Sequence, residues 1–249
     1  LGSPCFEIPR MSLRDKKMVA EIKEEQRLAD LRRKNGHNIR TMGMWLLLGL
    51  LYGILGAYLG FAALMFYGDY GITALVVGIV AGLALTIGYY VGNEWLSLRF
   101  KRLQPLTCTI YDQRYWHVER HWKLFDSSPL RYLFAGTPFR NIITHLRGTK
   151  IGKRVFDDGS YMSERTMTEI GDYCTLNEFI TLQSHSLEEG VFKSDFIKIG
   201  KGSTIGISAF AHYGTTIGDN AKLAADSFLM KGEIVESDEV WMGNPAKAI

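Results

Sequence analysis

Two stretches of the chain, Thr41 to Gly68 and Tyr70 to Asn93, contain no Asp, Glu, Lys, Arg or His, whereas the segments around them mix charged and apolar positions. At 1.5 Å per residue, Met42 to Phe66 reaches roughly 37 Å and Gly71 to Gly92 roughly 33 Å, enough for a hydrocarbon core of about 30 Å. The pattern predicts a transmembrane α-helical hairpin within residues 41–93. The link Tyr67 to Tyr70 carries one acid and no base. Ten Lys or Arg precede the first run, and Arg99, Lys101 and Arg102 follow the second. Such an excess of bases marks the cytoplasmic side of a membrane. The expectation is therefore a multi-pass protein of the inner (cytoplasmic) membrane, in contact with lipid, with both termini and everything downstream in the cytoplasm. Gly49, Gly53, Gly56 and Gly60 share one helix face, and Gly78 and Gly82 repeat the arrangement, as for close packing within the hairpin or against further membrane helices. No charge lies at depth, so the hairpin reads as an anchor rather than a transport path.

Residues 13–40 read as a charged juxtamembrane helix, capped by Ser12 and stopped at Gly36. Residues 94–148 interleave aromatics with bases, including Tyr111, Arg114, Trp116, Arg120, Trp122 and Lys123. Such a mixture suits either the headgroup layer or docking of a cytoplasmic domain onto the hairpin. Within it, Thr137-Pro138 opens and Gly148 closes a short helix through Ile142 and Ile143.

Downstream the period changes to six. Ile199, Ile205, Ala211, Ile217, Leu223 and Leu229 are all aliphatic at that step, and Gly200, Gly206 and Gly218 follow three of them. Ile170, Leu176 and Leu182 form a second run with the same step. Neither a helix nor an ordinary strand has this period. It predicts an all-β left-handed parallel β-helix, a hexapeptide-repeat solenoid, over residues 149–249, with three hexads per coil and the aliphatic residue of each pointing inward. The register breaks between Leu182 and Ile199, so Gln183 to Lys198 must leave the solenoid as an excursion carrying His185, Glu188, Glu189 and Asp195.

Composition narrows the rest. Hydrophobic residues make up 47% of the chain, crowded into the two apolar runs, which excludes a single soluble globule. A net charge of +3 gives no case for a nucleic-acid partner. Cys5, Cys108 and Cys174 lie far apart without a C-x-x-C pair, so neither a disulfide framework nor a thiolate metal site is expected, and a reducing cytoplasm suits them.

The segment Ile170 to Ile249, with its histidine-bearing excursion, "IGKGSTIG", "TTIGDNAKL" and the terminal "GNPAKAI", resembles the hexapeptide-repeat acyltransferases. More closely, "GTPF", "VFDDG", "LNEFITLQSHSLEEGVFKSD", "AHYG" and "FLMKGE" resemble the C-terminal region of membrane-bound non-ribosomal peptide synthetases of the ε-poly-lysine synthetase type. In that family, acyltransferase-like domains alternate with pairs of membrane helices downstream of adenylation and carrier domains. Gly2-Ser3-Pro4 echoes Gly243-Asn244-Pro245, as if residues 1–12 were the tail of a preceding solenoid and the chain a piece of a longer polypeptide. The resemblance implies partners: carrier and adenylation domains of the same longer chain, and sister solenoids forming a pseudo-trimer. It also implies a donor, a phosphopantetheine thioester on a carrier domain outside this segment, with acetyl-coenzyme A as the alternative.

Acyl transfer from a thioester needs a proton acceptor beside the nucleophile and donors for the developing oxyanion, and a neutral imidazole suits the first task. The resemblance places the catalytic histidine in the excursion, which makes His185 the candidate general base and His212 the second choice. Asn177 and Glu178 are candidates for contacting substrate or orienting His185, or else for a structural polar ladder along the coil. Asp195, Lys231 and Glu233 are weaker substrate-binding candidates, an acid there suiting a cationic acceptor. The implied function is a membrane-anchored terminal domain that forms peptide or isopeptide bonds from a carrier-bound aminoacyl thioester to an amino-acid acceptor. The alternatives are a coenzyme A-dependent O- or N-acetyltransferase and a non-catalytic scaffold for the carrier domain.

Overall fold

The computed structural model describes residues 12–125 and 129–249. The echo at Gly2-Ser3-Pro4 and Cys5 lie outside the described residues.

Helix α1 (Ser12–Ala20) ends in a break at Glu21 to Lys23, and α2 (Glu24–Met65) then runs for 42 residues without interruption. This corrects the expected stop at Gly36. No proline lies between Gly36 and the end of the helix, and the φ of Gly36 is not positive, so the glycine costs only the modest penalty of an interior position, about 1 kcal/mol against Ala. The charged segment and the first apolar run are therefore one rod. A single turn, α3 (Tyr67–Tyr70), leads through Gly71 into α4 (Ile72–Ser97).

Helices α2 and α4 lie side by side and antiparallel. Tyr52 stacks on Tyr89 with ring centroids 4.4 Å apart, and its hydroxyl meets Thr86 Oγ1 at 2.9 Å. Nearer the turn, a Cβ on Gly78 would come within 2.7 Å of Ala63 Cβ. Gly49, Gly53, Gly56, Gly60 and Gly82 have open space beside them, so of the predicted glycine faces only Gly78 serves the contact between these helices. Leu46, Leu50, Ile54, Ile79 and Val80 are exposed, and both helices are long and apolar enough to cross a membrane.

After α4 come β1 (Leu106–Thr109), α5 (Gln113–Phe125), the single turn α6 (Leu130–Leu133) and α7 (Pro138–Leu146). Helix α7 opens after Thr137 with proline in its first turn, and it is followed by Gly148 at φ +103°, as the sequence predicts. The end of α4 is fastened to α5, to the end of α7 and to the first coils. Glu94, fully buried two residues beyond the apolar run, accepts from Arg147 Nε at 2.9 Å, and Arg165 Nη1 and His121 Nε2 approach it at 3.2 and 3.3 Å. Burial and the neighbouring Arg165 bring Arg147 down to about 10, against the attraction of Glu94. Trp95 Nε1 donates to the Leu146 carbonyl at 2.7 Å.

The solenoid is built coil by coil. The first coil is β2 (Lys150–Ile151), β3 (Phe156–Asp157) and β4 (Tyr161–Met162); the second is β5 (Thr168–Ile170), β6 (Thr175–Leu176) and β7 (Thr181–Gln183). An antiparallel hairpin then leaves it, β8 (His185–Glu188) and β9 (Val191–Ser194), turning through Glu189 and Gly190, both at positive φ. Coils resume with β10 (Ile197–Ile199), β11 (Thr204–Ile205), β12 (Phe210–His212), then β13 (Thr216–Ile217), β14 (Lys222–Leu223), β15 (Phe228–Leu229), and finally β16 (Ile234–Val235) and β17 (Val240–Gly243). β18 (Ala246–Ala248) folds back antiparallel on β17.

Parallel pairing between coils makes three faces: β2-β5-β10-β13-β16, β3-β6-β11-β14-β17 and β4-β7-β12-β15. Ile170, Ile199 and Ile217 stand in register on the first face, Leu176, Ile205 and Leu223 on the second, and Leu182, Ala211 and Leu229 on the third. All nine are buried, as the hexad register predicts. The first coil escapes that register because Asp157 occupies the position of Leu176, and because Met162, opposite Leu182, follows Asp157 by five residues and not six. This buried carboxylate is paired with Arg140 Nε at 2.8 Å from α7. The excursion is also more ordered than a loop, since β1 pairs antiparallel with β9 and completes a three-stranded sheet.

Candidate active site

Where the third face gives way to the first, successive coils present Ser163 and Glu164, then the β8–β9 hairpin and Asp195, then His212, then Lys231 and Glu233. Five of the seven predicted site residues therefore line one edge. Asn177 and Glu178 do not. They occupy the turn between the second and third faces, where Asn177 Nδ2 donates to the Ile205 carbonyl at 2.7 Å, while Glu178 is exposed and its backbone carbonyl accepts from Ser208. Asn177 thus takes the polar-ladder place along the coil.

His185 opens the hairpin. Its Nδ1 lies 2.6 Å from Oε1 of Glu164, a carboxylate with no solvent exposure. The same Oε1 accepts from Trp122 Nε1 at 2.7 Å, and Oε2 accepts from the Ser163 hydroxyl. Ser163 Oγ in turn receives the Ser184 backbone N–H at 3.0 Å, so the carboxylate is held by two coils and by α5. The imidazole lies under the indole of Trp122 and beside Phe192, at centroid distances of 4.3 and 5.9 Å. The two groups stand at ion-pair distance, but the line from Nδ1 to the carboxylate lies outside hydrogen-bond geometry, so the contact is one of charge and proximity. The neighbours in sequence, Ser184 and Ser186, alternate to the other side of the strand, where their buried hydroxyls have no hydrogen-bond partner among the described residues.

His212 has a different environment. Its Nδ1 accepts the Tyr213 backbone N–H at 3.0 Å, and burial first, with Lys231 also opposing its charge, brings its pKa down to about 4. Burial therefore favours the neutral form of His212, with its acceptor nitrogen engaged. Lys231 reaches from the next coil to the hairpin, its Nζ donating to both oxygens of Glu188 at 2.6 and 2.7 Å. Glu233 Oε2 accepts from the Met230 backbone N–H at 2.8 Å, and Asp195 Oδ1 from that of Phe196 at 2.7 Å. Lys231 thus ties its coil to the hairpin, while Glu233 and Asp195 each hold their own turn.

Glu164 and Trp122 were not visible as site residues in the sequence. Glu164 has a signal in retrospect, for it occupies the corner one coil before His185. Trp122 has none, because its placement depends on α5 docking against the hairpin.

No family model matches the chain. Over 179 residues, 70% of its length, it is 27% identical to a delta-poly-L-ornithine synthetase of Acinetobacter baumannii. The match covers 13% of that protein, so the chain spans a small part of its relative's length. Among solved structures, a galactoside acetyltransferase in complex with coenzyme A is 22% identical, with a TM-score of 0.40 over 48% of this chain and 76% of its own. A hexapeptide-repeat acetyltransferase from Vibrio cholerae, complexed with acetyl coenzyme A, is 16% identical, with a TM-score of 0.39 over 48% and 81%. The resemblance to synthetases of the ε-poly-lysine type, carried in the sequence by short motifs, is matched by a relative that is a poly-amino-acid synthetase by name.

Proposed function

We propose that this chain is the membrane-anchored, acyltransferase-like part of a poly-amino-acid synthetase, in which a left-handed β-helix transfers an aminoacyl group from a thioester to an amino-acid amine. What carries this reading is the buried Glu164 carboxylate set against Nδ1 of His185 on the edge of the coils. His185 Nε2 takes the proton of the attacking amine, and the charge of Glu164 stabilises the imidazolium that forms. The thioester supplies an activated carbonyl and a thiolate leaving group, on a pantetheine arm delivered by carrier and adenylation domains elsewhere in a longer polypeptide. Helices α2 and α4 cross the membrane in this reading, with the coils on the cytoplasmic side and sister solenoids as neighbours.

The test is amide formation from an aminoacyl-pantetheine donor and a free amino acid, followed by thiol release. His185→Ala is expected to lower kcat about 10²- to 10⁴-fold. Product formed at an unchanged rate would leave the coils as a scaffold, and turnover of acetyl-coenzyme A in place of the aminoacyl donor would make the protein an acetyltransferase.

A further inference from the structure

At the end of the helix pair remote from the α3 turn, bases outnumber the acids, which are taken up by other partners. Arg40 is the last base before the first apolar run and Arg99 the first after the second. The contacts Ala63–Gly78 and Tyr52–Tyr89 share one antiparallel register, which continued away from the turn puts Arg40 level with residues 99–102. Between them stands Arg120 of α5, whose guanidinium donates to Thr41 Oγ1 and to His37 Nδ1, both at 3.0 Å. One turn before it, His117 lines a cavity of about 420 Å³ together with Arg99, Lys101 and Arg102.

Among the described residues, no carboxylate forms an ion pair with Arg40, Arg99 or Arg120. The groups oppose one another instead. Burial lowers Arg120, and Arg99 and Arg40 lower it further; burial lowers His117, and Arg99 and Arg120 add to it. Four acids among the described residues stand around this end and all are engaged: Glu164, which lines the cavity, with Trp122, Ser163 and His185; Asp112 with Arg114; Glu119 with Lys34 and Lys123; and Glu94 with Arg147, Arg165 and His121. Arg99 and Phe100 also stand at φ +53° and +58°, a costly conformation for non-glycine residues that turns the chain sharply as it leaves α4.

We propose that Arg40, Arg99 and Arg120 form a binding site for the phosphate of an anionic phospholipid headgroup, with His117 and the adjoining cavity receiving the remainder of the headgroup. The place of these residues, level with the ends of both apolar runs, favours a lipid over a soluble phosphate, since basic pockets at the cytoplasmic ends of membrane helices take such headgroups. The site rests on the membrane reading of α2 and α4.

The experiment is thermal unfolding of the purified chain in a neutral detergent, with dioleoylphosphatidylglycerol, dioleoylphosphatidylcholine or inorganic phosphate added in turn. Phosphatidylglycerol is expected to raise the midpoint by roughly 2–4 °C or more, and the zwitterionic lipid not to do so. Arg99→Asn, whose side chain tolerates the left-handed backbone, is expected to unfold at the same or a higher midpoint without lipid and to lose the response to phosphatidylglycerol. Equal stabilisation by both lipids, or a response retained in Arg99→Asn, would overturn the site, and an equal effect of inorganic phosphate would overturn its assignment to lipid. A chain that stays soluble and monodisperse without detergent would instead defeat the membrane reading beneath it.

Discussion

The indole of Trp122 lies over the imidazole of His185, 4.3 Å between ring centres and 30° between planes, and at the same time donates its N–H to the carboxylate beneath. The two roles separate by substitution. Trp122→Phe keeps an aromatic cover but removes the donor, leaving a buried carboxylate oxygen short of one partner. The expected cost is about 1–3 kcal/mol in equilibrium unfolding. Trp122→Ala loses the cover as well and is expected to unfold at a still lower midpoint.

Glu164 acts through His185 and is a positioning residue. Glu164→Gln preserves volume but presents a neutral amide to Nδ1, so the imidazolium loses its stabilising charge. The expected result is a fall in kcat of about 10²- to 10⁴-fold with KM little changed, and a displaced pH–rate profile. A stability loss with kcat intact would assign Glu164 a structural role only.

His212 gives stability a pH dependence of definite sign. Its folded pKa, brought down to about 4 mainly by burial, lies below the ordinary value of 6.5. Between these values the unfolded chain binds the proton and the folded chain does not. The contribution is complete above about pH 6.5 and is lost as the pH falls towards 4. Unfolding midpoints measured from pH 7 to pH 4 are expected to fall less steeply in His212→Gln than in the parent.

The cluster around Glu94 binds the helix pair to the coils. Glu94→Gln removes the one charge facing Arg147, Arg165 and His121, leaving buried Arg147 uncompensated. A cost of about 3–5 kcal/mol is expected. Limited proteolysis would register it as faster cleavage between Leu98 and Lys150.

Gly206 tests the stacking of the coils. A Cβ there would come within 2.3 Å of the Ala225 backbone nitrogen on the next coil, and backbone at that distance has no flexible end to move aside. Gly206→Ala is expected to cost about 1–3 kcal/mol, read as a lower unfolding midpoint.

The coils were legible in the sequence because each inward position is filled independently by the same kind of residue, so Ile199 to Leu229 announce their own register. The first coil was hidden where Asp157 replaces an aliphatic residue and relies on Arg140, a partner outside the repeat. At the candidate site, His185 was legible because an excursion interrupts a strict period. Glu164 and Trp122 were not, since a carboxylate and an indole declare a role only once α5 and two coils bring them together. Gly36 misled for a related reason: a local stop signal yields when the residues after it continue a long apolar helix.

Strand β1 belongs by sequence to the connector after α4, yet it supplies the outer partner of β9. A version of the protein trimmed to its coils would therefore bare an open strand edge and strip Phe192 of Tyr115 and Trp122, the rings packed on it. Such a fragment is left with a sticky seam beside its histidine, and the coils are better regarded as the far end of one indivisible body than as a detachable enzyme.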